Sequence, residues 1–284
     1  MGVCWARCLV VGVQDHPLVE QLLSLGKERN PQHRSTLVAA AHHQNREVRA
    51  MAVRALGWLR MAEVVDDLVP SLDDMDTNVR RWTAASLALT GSRRSGPQLI
   101  SRLMIEEHEA VRVALLRTLG WLEVSSARPV MIDILNSDAP AEVRGQAISS
   151  LCRLRAIDTA PLWVKALGDP AGTVRCQALR ALATCPDLSL ETELDNLAQD
   201  DDPEVRLLAL RTMAQRRTPG IERRCVLALS DGNPGVRATA LICLKTLSYV
   251  DALEPIETLK ADPHSEVRHH ARLASIHLRA LRAH

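Results

Sequence analysis

The chain has 284 residues, 46% of them hydrophobic and 24% charged, which is ample material for a large core and excludes a disordered tail or a stapled miniprotein. Its 35 basic and 34 acidic residues leave a net charge of +1, so nothing pulls the whole molecule toward nucleic acid or an anionic membrane, and an electrostatic partner must read a local patch. Phe is absent, Tyr occurs once and Trp five times, which leaves Leu, Ala and Val to build a core suited to closely approaching helices.

The opening MGVCWARCLVVGV has an apolar run too short to cross a bilayer and lacks both a basic start and a small-residue cleavage site. Ala6 stands where a myristoylation motif needs Ser or Thr. Residues 1–14 therefore read as an extension without a targeting signal. Cys4, Cys8, Cys152, Cys176, Cys185, Cys225 and Cys243 form no CxxC pair, a pattern of reduced thiols in a cytoplasmic protein rather than of disulfides or structural zinc.

From residue 15 the chain is periodic. Val-Arg recurs at Val48-Arg49, Val79-Arg80, Val111-Arg112, Val143-Arg144, Val174-Arg175, Val205-Arg206, Val236-Arg237 and Val267-Arg268, at intervals of 31 or 32 residues. Counting from each Arg, position three is mostly Ala, position four is apolar except at Arg272, position six is always small and position seven is mostly Leu. Offsets of three, four and seven trace one face of a helix. Six residues ahead of the Arg lies a turn acid: Asp74, Glu106, Asp138, Asp169, Asp200, Asp231 or Asp262, with His43 alone breaking the series. Pro170, Pro203, Pro234 and Pro263 add helix-start chemistry. The rest of each unit, such as AEVVDDLVPSL, carries a second short amphipathic pattern, so each unit is a helical hairpin that buries its stripe only by stacking on its neighbours. DHPLVEQLLSLGKERN matches the second helix one period upstream, with Leu18 in place of the Arg, and reads as a degenerate cap. The closing ASIHLRALRAH is polar on several faces, as an exposed last helix should be, and the glycines mostly mark helix ends.

The order acid, Pro, Val-Arg, Ala, Ala-Leu-Gly, seen in EVRAMAVRALGWL and DPEVRLLALRTMA, resembles the short HEAT repeats of the phycobilisome-lyase HEAT-like type. The resemblance covers roughly residues 15 to 281 and implies an all-α fold: a right-handed α-α superhelix of about eight two-helix repeats after a cap helix, forming one solenoid domain over 15–284 with the second helices on its concave side. It does not single out a function, because the family holds scaffolds, bilin lyases and a metal-dependent hydroxylase.

The Arg residues and acids predict a structural ladder. An Arg fork at the head of each second helix can bind the turn carboxylate of its own or the next repeat, joining Arg49, Arg80, Arg112, Arg144, Arg175, Arg206, Arg237 and Arg268 with Asp74, Asp138, Asp169, Asp200, Asp231 and Asp262. The hydroxylase relatives place His-Glu dyads directly after this Arg; here those places hold pairs such as Ala50-Met51 and His269-His270, so that reading fails. His270, His277 and His284 share a stripe, with successive members about 10 Å apart along the helix, too far for one metal. No HExxH motif, nucleophile elbow or phosphate-binding glycine loop occurs, and the sequence calls for no metal, cofactor or catalytic residue.

Positions five and nine after the Arg share a face. They supply Arg54, Arg117, Arg180 and Arg211, and Trp58, Trp121 and Arg153, with Trp82 from the intervening repeat nearby. Arg54 with Trp58 and Arg117 with Trp121 are i,i+4 pairs able to lay a guanidinium on an indole, and exposed Trp and Arg are enriched in binding hot spots. The first expectation is a non-catalytic adaptor gripping an acidic or extended protein segment. The alternative is a bilin lyase or chromophore-handling protein whose Arg groups clamp propionates. Nucleic-acid binding comes third, with the near-zero charge and scarce stacking residues against it.

Overall fold

Every Val-Arg segment is helical, and the turn before it carries the signals that start it. In the computed structural model, which describes residues 17–282, the side chains of Asn45, Asp76, Asp202 and Asn233 accept the N–H groups of Glu47, Asn78, Glu204 and Gly235 at 2.8–2.9 Å, capping the helices that follow. The extension 1–14 with Cys4 and Cys8, and His284 at the other end, lie outside the described residues. Among the described residues all regular structure is helical, and short 3-10 turns lead into most of the first helices.

The chain divides into two compact units, one ending at Arg155 and the other beginning at Ala156. The first contains α1 (Pro17–Glu28), α2 (Arg34–Ala41), α3 (Arg46–Trp58), α4 (Val65–Leu68), α5 (Thr77–Thr90), α6 (Gly96–Ile105), α7 (Glu109–Trp121), α8 (Arg128–Leu135) and α9 (Ala141–Arg153). The second contains α10 (Ala160–Lys165), α11 (Gly172–Leu182), α12 (Glu191–Leu197), α13 (Pro203–Arg216), α14 (Ile221–Ala228), α15 (Pro234–Thr246), α16 (Leu253–Thr258) and α17 (Ser265–Arg282). The odd-numbered helices are the long Val-Arg helices, with α1 as the cap. The even-numbered ones are the shorter first helices, each packed on the odd helix that follows it. Within each unit the odd helices also pack on one another in sequence, α1 to α9 in the first and α11 to α17 in the second. Each unit is thus an α-α solenoid stack.

The core follows the repeat. The Val of all eight pairs is buried, as are Leu56, Leu87, Leu119, Leu151, Leu182 and Leu244 seven positions after the Arg, and burying a side chain of this size contributes about 1.5–3 kcal/mol. Small residues set how closely the long helices approach. A Cβ on Gly57 of α3 would lie 2.5 Å from Ser86 Cβ of α5, and one on Gly120 of α7 would lie 3.0 Å from Ser150 Cβ of α9. The hydroxyls of Thr118 and Ser150 donate to Ala84 O and Leu116 O of the preceding long helix, each at 2.8 Å. The glycines do lie mostly at helix ends, and Gly26, Gly57 and Gly120, in the last turns of α1, α3 and α7, have a second use there: a Cβ on any of them would press on the next long helix.

The long helices end on a shared device. The residue eleven after the repeat Arg adopts a left-handed conformation at Arg60, Gly91, Glu123, Arg155, Arg217 and Ser248, and Arg29 does so after the cap helix. Only one of these is glycine. The corresponding place after Arg175 is Pro186, and there the turn is irregular and is held by Arg216, whose Nη2 donates to Cys185 O at 2.6 Å. The last helix is less polar than its sequence suggests, with Leu273, Ile276 and Leu281 exposed beside Arg272. No helix among the described residues is long and apolar enough to cross a membrane.

Replacing Gly57 by Ala should lower stability by about 1–3 kcal/mol, because the added methyl must push α5 away, although Ala is the better helix former in isolation. Urea unfolding of the two proteins measures this, and an unchanged or higher midpoint would contradict the close approach.

Candidate functional site

The repeat Arg and the turn acid meet across repeats. Nε and Nη2 of Arg49 donate to the two oxygens of Asp74 at 2.7 and 2.9 Å, while Nη1 donates to His43 O and Gln44 O of its own turn. Arg80 grips Glu106 at 2.8 and 2.9 Å, Arg206 grips Asp231 at 2.8 and 2.8 Å, and Arg237 grips Asp262 at 2.9 and 3.0 Å. Arg175 reaches Asp200 through Nη2 alone at 2.6 Å. Arg268, in the final repeat, donates to Asp262 O and Pro263 O of its own turn, and Arg144 donates to Ala139 O. The forks of Arg49, Arg80, Arg175, Arg206 and Arg237 thus each tie their own turn to the next one.

The acids are themselves positioned by the backbone. Asp74, Glu106, Asp169, Asp200, Asp231 and Asp262 each accept the N–H of the residue two places on, at 2.8–2.9 Å. His43, which breaks the acid series, does the same work with Nδ1, accepting the Asn45 N–H at 3.0 Å. One repeat upstream of it stands Leu18, so no repeat Arg asks for a countercharge there. The predicted rung between Arg112 and Asp138 does not form: Asp138 is exposed, and Arg112 Nε is buried without an acceptor. The residue two places after Asp138 is Pro140, which has no N–H to hold the carboxylate in the turn.

A different set of Arg residues occupies the long-helix face of the first unit. Arg54 Cζ lies 5.3 Å from the Trp58 ring centroid and only 4.2 Å from that of Trp82 on α5. Arg81, the neighbour of Trp82, lies 5.2 Å from the same ring. Two guanidinium groups therefore share one indole, and among the described residues no carboxylate pairs with either. Burial first, and repulsion from Arg81 second, pull the Arg54 guanidinium below the usual arginine range. Farther along this face Arg153 of α9 covers Trp121 of α7 at 3.7 Å, and Arg117 Nε donates to Gln146 Oε1 at 3.3 Å. Trp58 and Trp82 are half-buried and Trp121 is 40% exposed. The sequence placed Arg and ring within one helix; the structure adds contacts from one repeat to the next, and with them Arg81 and Gln146, one and two places after a repeat Arg. The fully buried Trp163 belongs to the core of the second unit.

In the second unit the same register holds Arg180 and Arg211, both exposed, on α11 and α13, followed by the partly exposed Ile242 and Leu273 on α15 and α17. Among the described residues no Trp or Tyr ring accompanies these Arg residues: the ninth positions on their helices are Thr184 and Gln215. Among the described residues no group of three or more His, Cys, Asp or Glu side chains is gathered as a metal ion would require.

Models of HEAT repeats match residues 20–88, 65–152, 160–221 and 190–275, which together span most of the sequence. The chain belongs to the HEAT-repeat family. This HEAT-repeat protein is similar in structure to the YibA protein of Escherichia coli, with a TM-score of 0.64 at 17% identity over 94% of this chain and 99% of that one. It is also similar to the complex of CpcE and CpcF of phycocyanin lyase from Nostoc, with a TM-score of 0.50 at 20% identity over 86% of this chain and 94% of that one. At such identities the likeness is one of fold, and it agrees with the short lyase-type repeat. No curated protein matches the HEAT-repeat chain.

The ladder makes folding acid-sensitive. Burial opposes ionisation of Glu106, but Arg80, the His108 N–H and Arg102 outweigh it and lower its pKa from 4.5 to about 2. A folded-state value below the unfolded one means that the rung stabilises fully above about pH 4.5 and loses that contribution as pH falls toward about 2. Glu106→Gln should cost about 3 kcal/mol near neutrality and flatten the pH dependence over that window, as read from denaturant unfolding at stepped pH. An unaltered acid limb in the variant would contradict the assignment.

Proposed function

We propose that this protein is a non-catalytic interaction scaffold whose long-helix face in the first unit grips an acidic or extended segment of a partner protein. The observation that carries the reading is the pairing of Arg54 and Arg81 on the Trp82 indole without a carboxylate, in a chain whose other buried forks mostly have one. Two like charges held together on an aromatic wall gain from an incoming anion, and the half-buried rings of Trp58 and Trp82 give its neighbours apolar surface. Arg153 over Trp121, with Arg117 nearby, supplies a second anchor of the same kind on the same face. Arg180 and Arg211, exposed at the same register of α11 and α13 in the second unit, suit acidic side chains but lack rings to anchor an extended segment.

The fold likeness to the phycocyanin lyase complex supports a second reading, in which the same guanidinium groups take the propionates of a bilin. One pair of measurements separates the two. In affinity capture from the source cells, replacing Arg54, Arg81 and Trp82 together by Ala should weaken retention of the partner by about tenfold or more while leaving the helical circular-dichroism signal intact. Retention of every partner by this variant would overturn the scaffold reading. A shift in bilin absorbance on mixing, lost in the same variant, would replace it with chromophore handling.

A further inference from the structure

The missing rung at Arg112 leaves a binding position whose chemistry the rest of the molecule spells out. In the completed rungs Nε or Nη2 of the fork, or both, go to a carboxylate and Nη1 to the carbonyls of the fork's own turn. Arg112 makes none of these bonds, its Nε is buried without an acceptor, and the acid of its own turn, Glu106, is already taken by Arg80 and Arg102. The expected partner is present in the sequence but turned away. Asp138 is exposed, and the turn after α8 is closed instead by Ser137, whose Oγ donates to Ile134 O at 2.9 Å and accepts the Ala139 N–H at 3.3 Å. The cause is covalent: every other described repeat offers an N–H at the place of Pro140. A buried guanidinium N–H without an acceptor costs free energy that an incoming carboxylate would relieve.

We infer that Arg112 is a docking point for a carboxylate from outside the chain, which takes the place that the turn acid fills in the neighbouring repeats. The carboxylate comes from an Asp or Glu side chain of a protein partner or from a small carboxylic acid. This position lies on the turns, at the head of α7, and does not depend on the Arg and Trp face proposed above.

The test uses the full chain labelled with nitrogen-15, observing Arg Nε–Hε resonances and assigning that of Arg112 by its loss in Arg112→Lys. Sodium acetate should move this resonance saturably, in the millimolar range expected for one fork and one carboxylate, while sodium chloride at equal ionic strength should not. A capped Asp-Gly-Asn peptide that binds at least about tenfold more tightly than acetate, where its Asn-Gly-Asn counterpart does not bind, identifies a protein segment as the source; equal affinity identifies a small acid. Pro140→Ala restores the N–H, as Ala171 shows an alanine can, and should bring Asp138 onto Arg112 and weaken the acetate response by about fivefold or more. Asp138→Asn should respond as the unaltered chain does. The inference is overturned if neither acetate nor the peptide moves the Arg112 resonance, if Pro140→Ala responds as strongly as the unaltered chain, or if a response appears only in Asp138→Asn.

Discussion

The close approach of successive Val-Arg helices is the constraint on which the rest of this structure depends. Within each unit these helices pack on one another, and in the first the approach is set by residues with little or no side chain: Gly26 on Ala55, Gly57 on Ser86, Gly120 on Ser150. Where helices come this near, side chains one repeat apart on the outward face become neighbours. Arg54 can then stack on Trp82, and Arg153 on Trp121, although each pair is distant in sequence. The candidate binding face is a product of small residues packed beneath and beside it, Gly26 against the Trp58 ring among them.

Arginine has two opposite roles in this protein. At the head of each long helix the guanidinium is mostly enclosed and bonded in several directions, and there its fixed fork suits a carboxylate on one side and two carbonyls on the other. Five places farther along the same helices, Arg54, Arg180 and Arg211 have rings or solvent around them and, among the described residues, no carboxylate partner. Arg112 apart, the first set consumes its charge internally and the second keeps it for something else. A net charge near zero conceals this division.

The recurring Val, Leu and turn acid made the helical hairpin and its stacking legible, because burial and hydrogen bonding impose those types at fixed spacing. Three features are not legible in the sequence. His43 looks like a fault in the acid series, yet it fills the same hydrogen-bonding place, which only the direction of Nδ1 reveals. Pro140 was in plain view, but its effect on Asp138 becomes visible only once the N–H two places after each acid is known to hold it. The i,i+4 relation pairs rings and forks within a helix and puts Trp82 of the next repeat nearby, whereas the separation of helices, which brings Arg81 and Gln146 in, is set by tertiary packing.

The left-handed residue that ends the long helices has an evolutionary consequence. Arg, Glu and Ser occupy it almost everywhere, and glycine only at Gly91, so most repeats carry a conformational penalty of about 1 kcal/mol that a single codon change could remove. These places lie in the turns that follow the helices, two residues beyond Trp58, Trp121 and Arg153 in three of them, and are not themselves the outward-facing Arg and Trp positions. The array therefore holds thermodynamic headroom against which destabilising changes in its recognition surface can be tolerated, letting that surface diverge while the architecture persists.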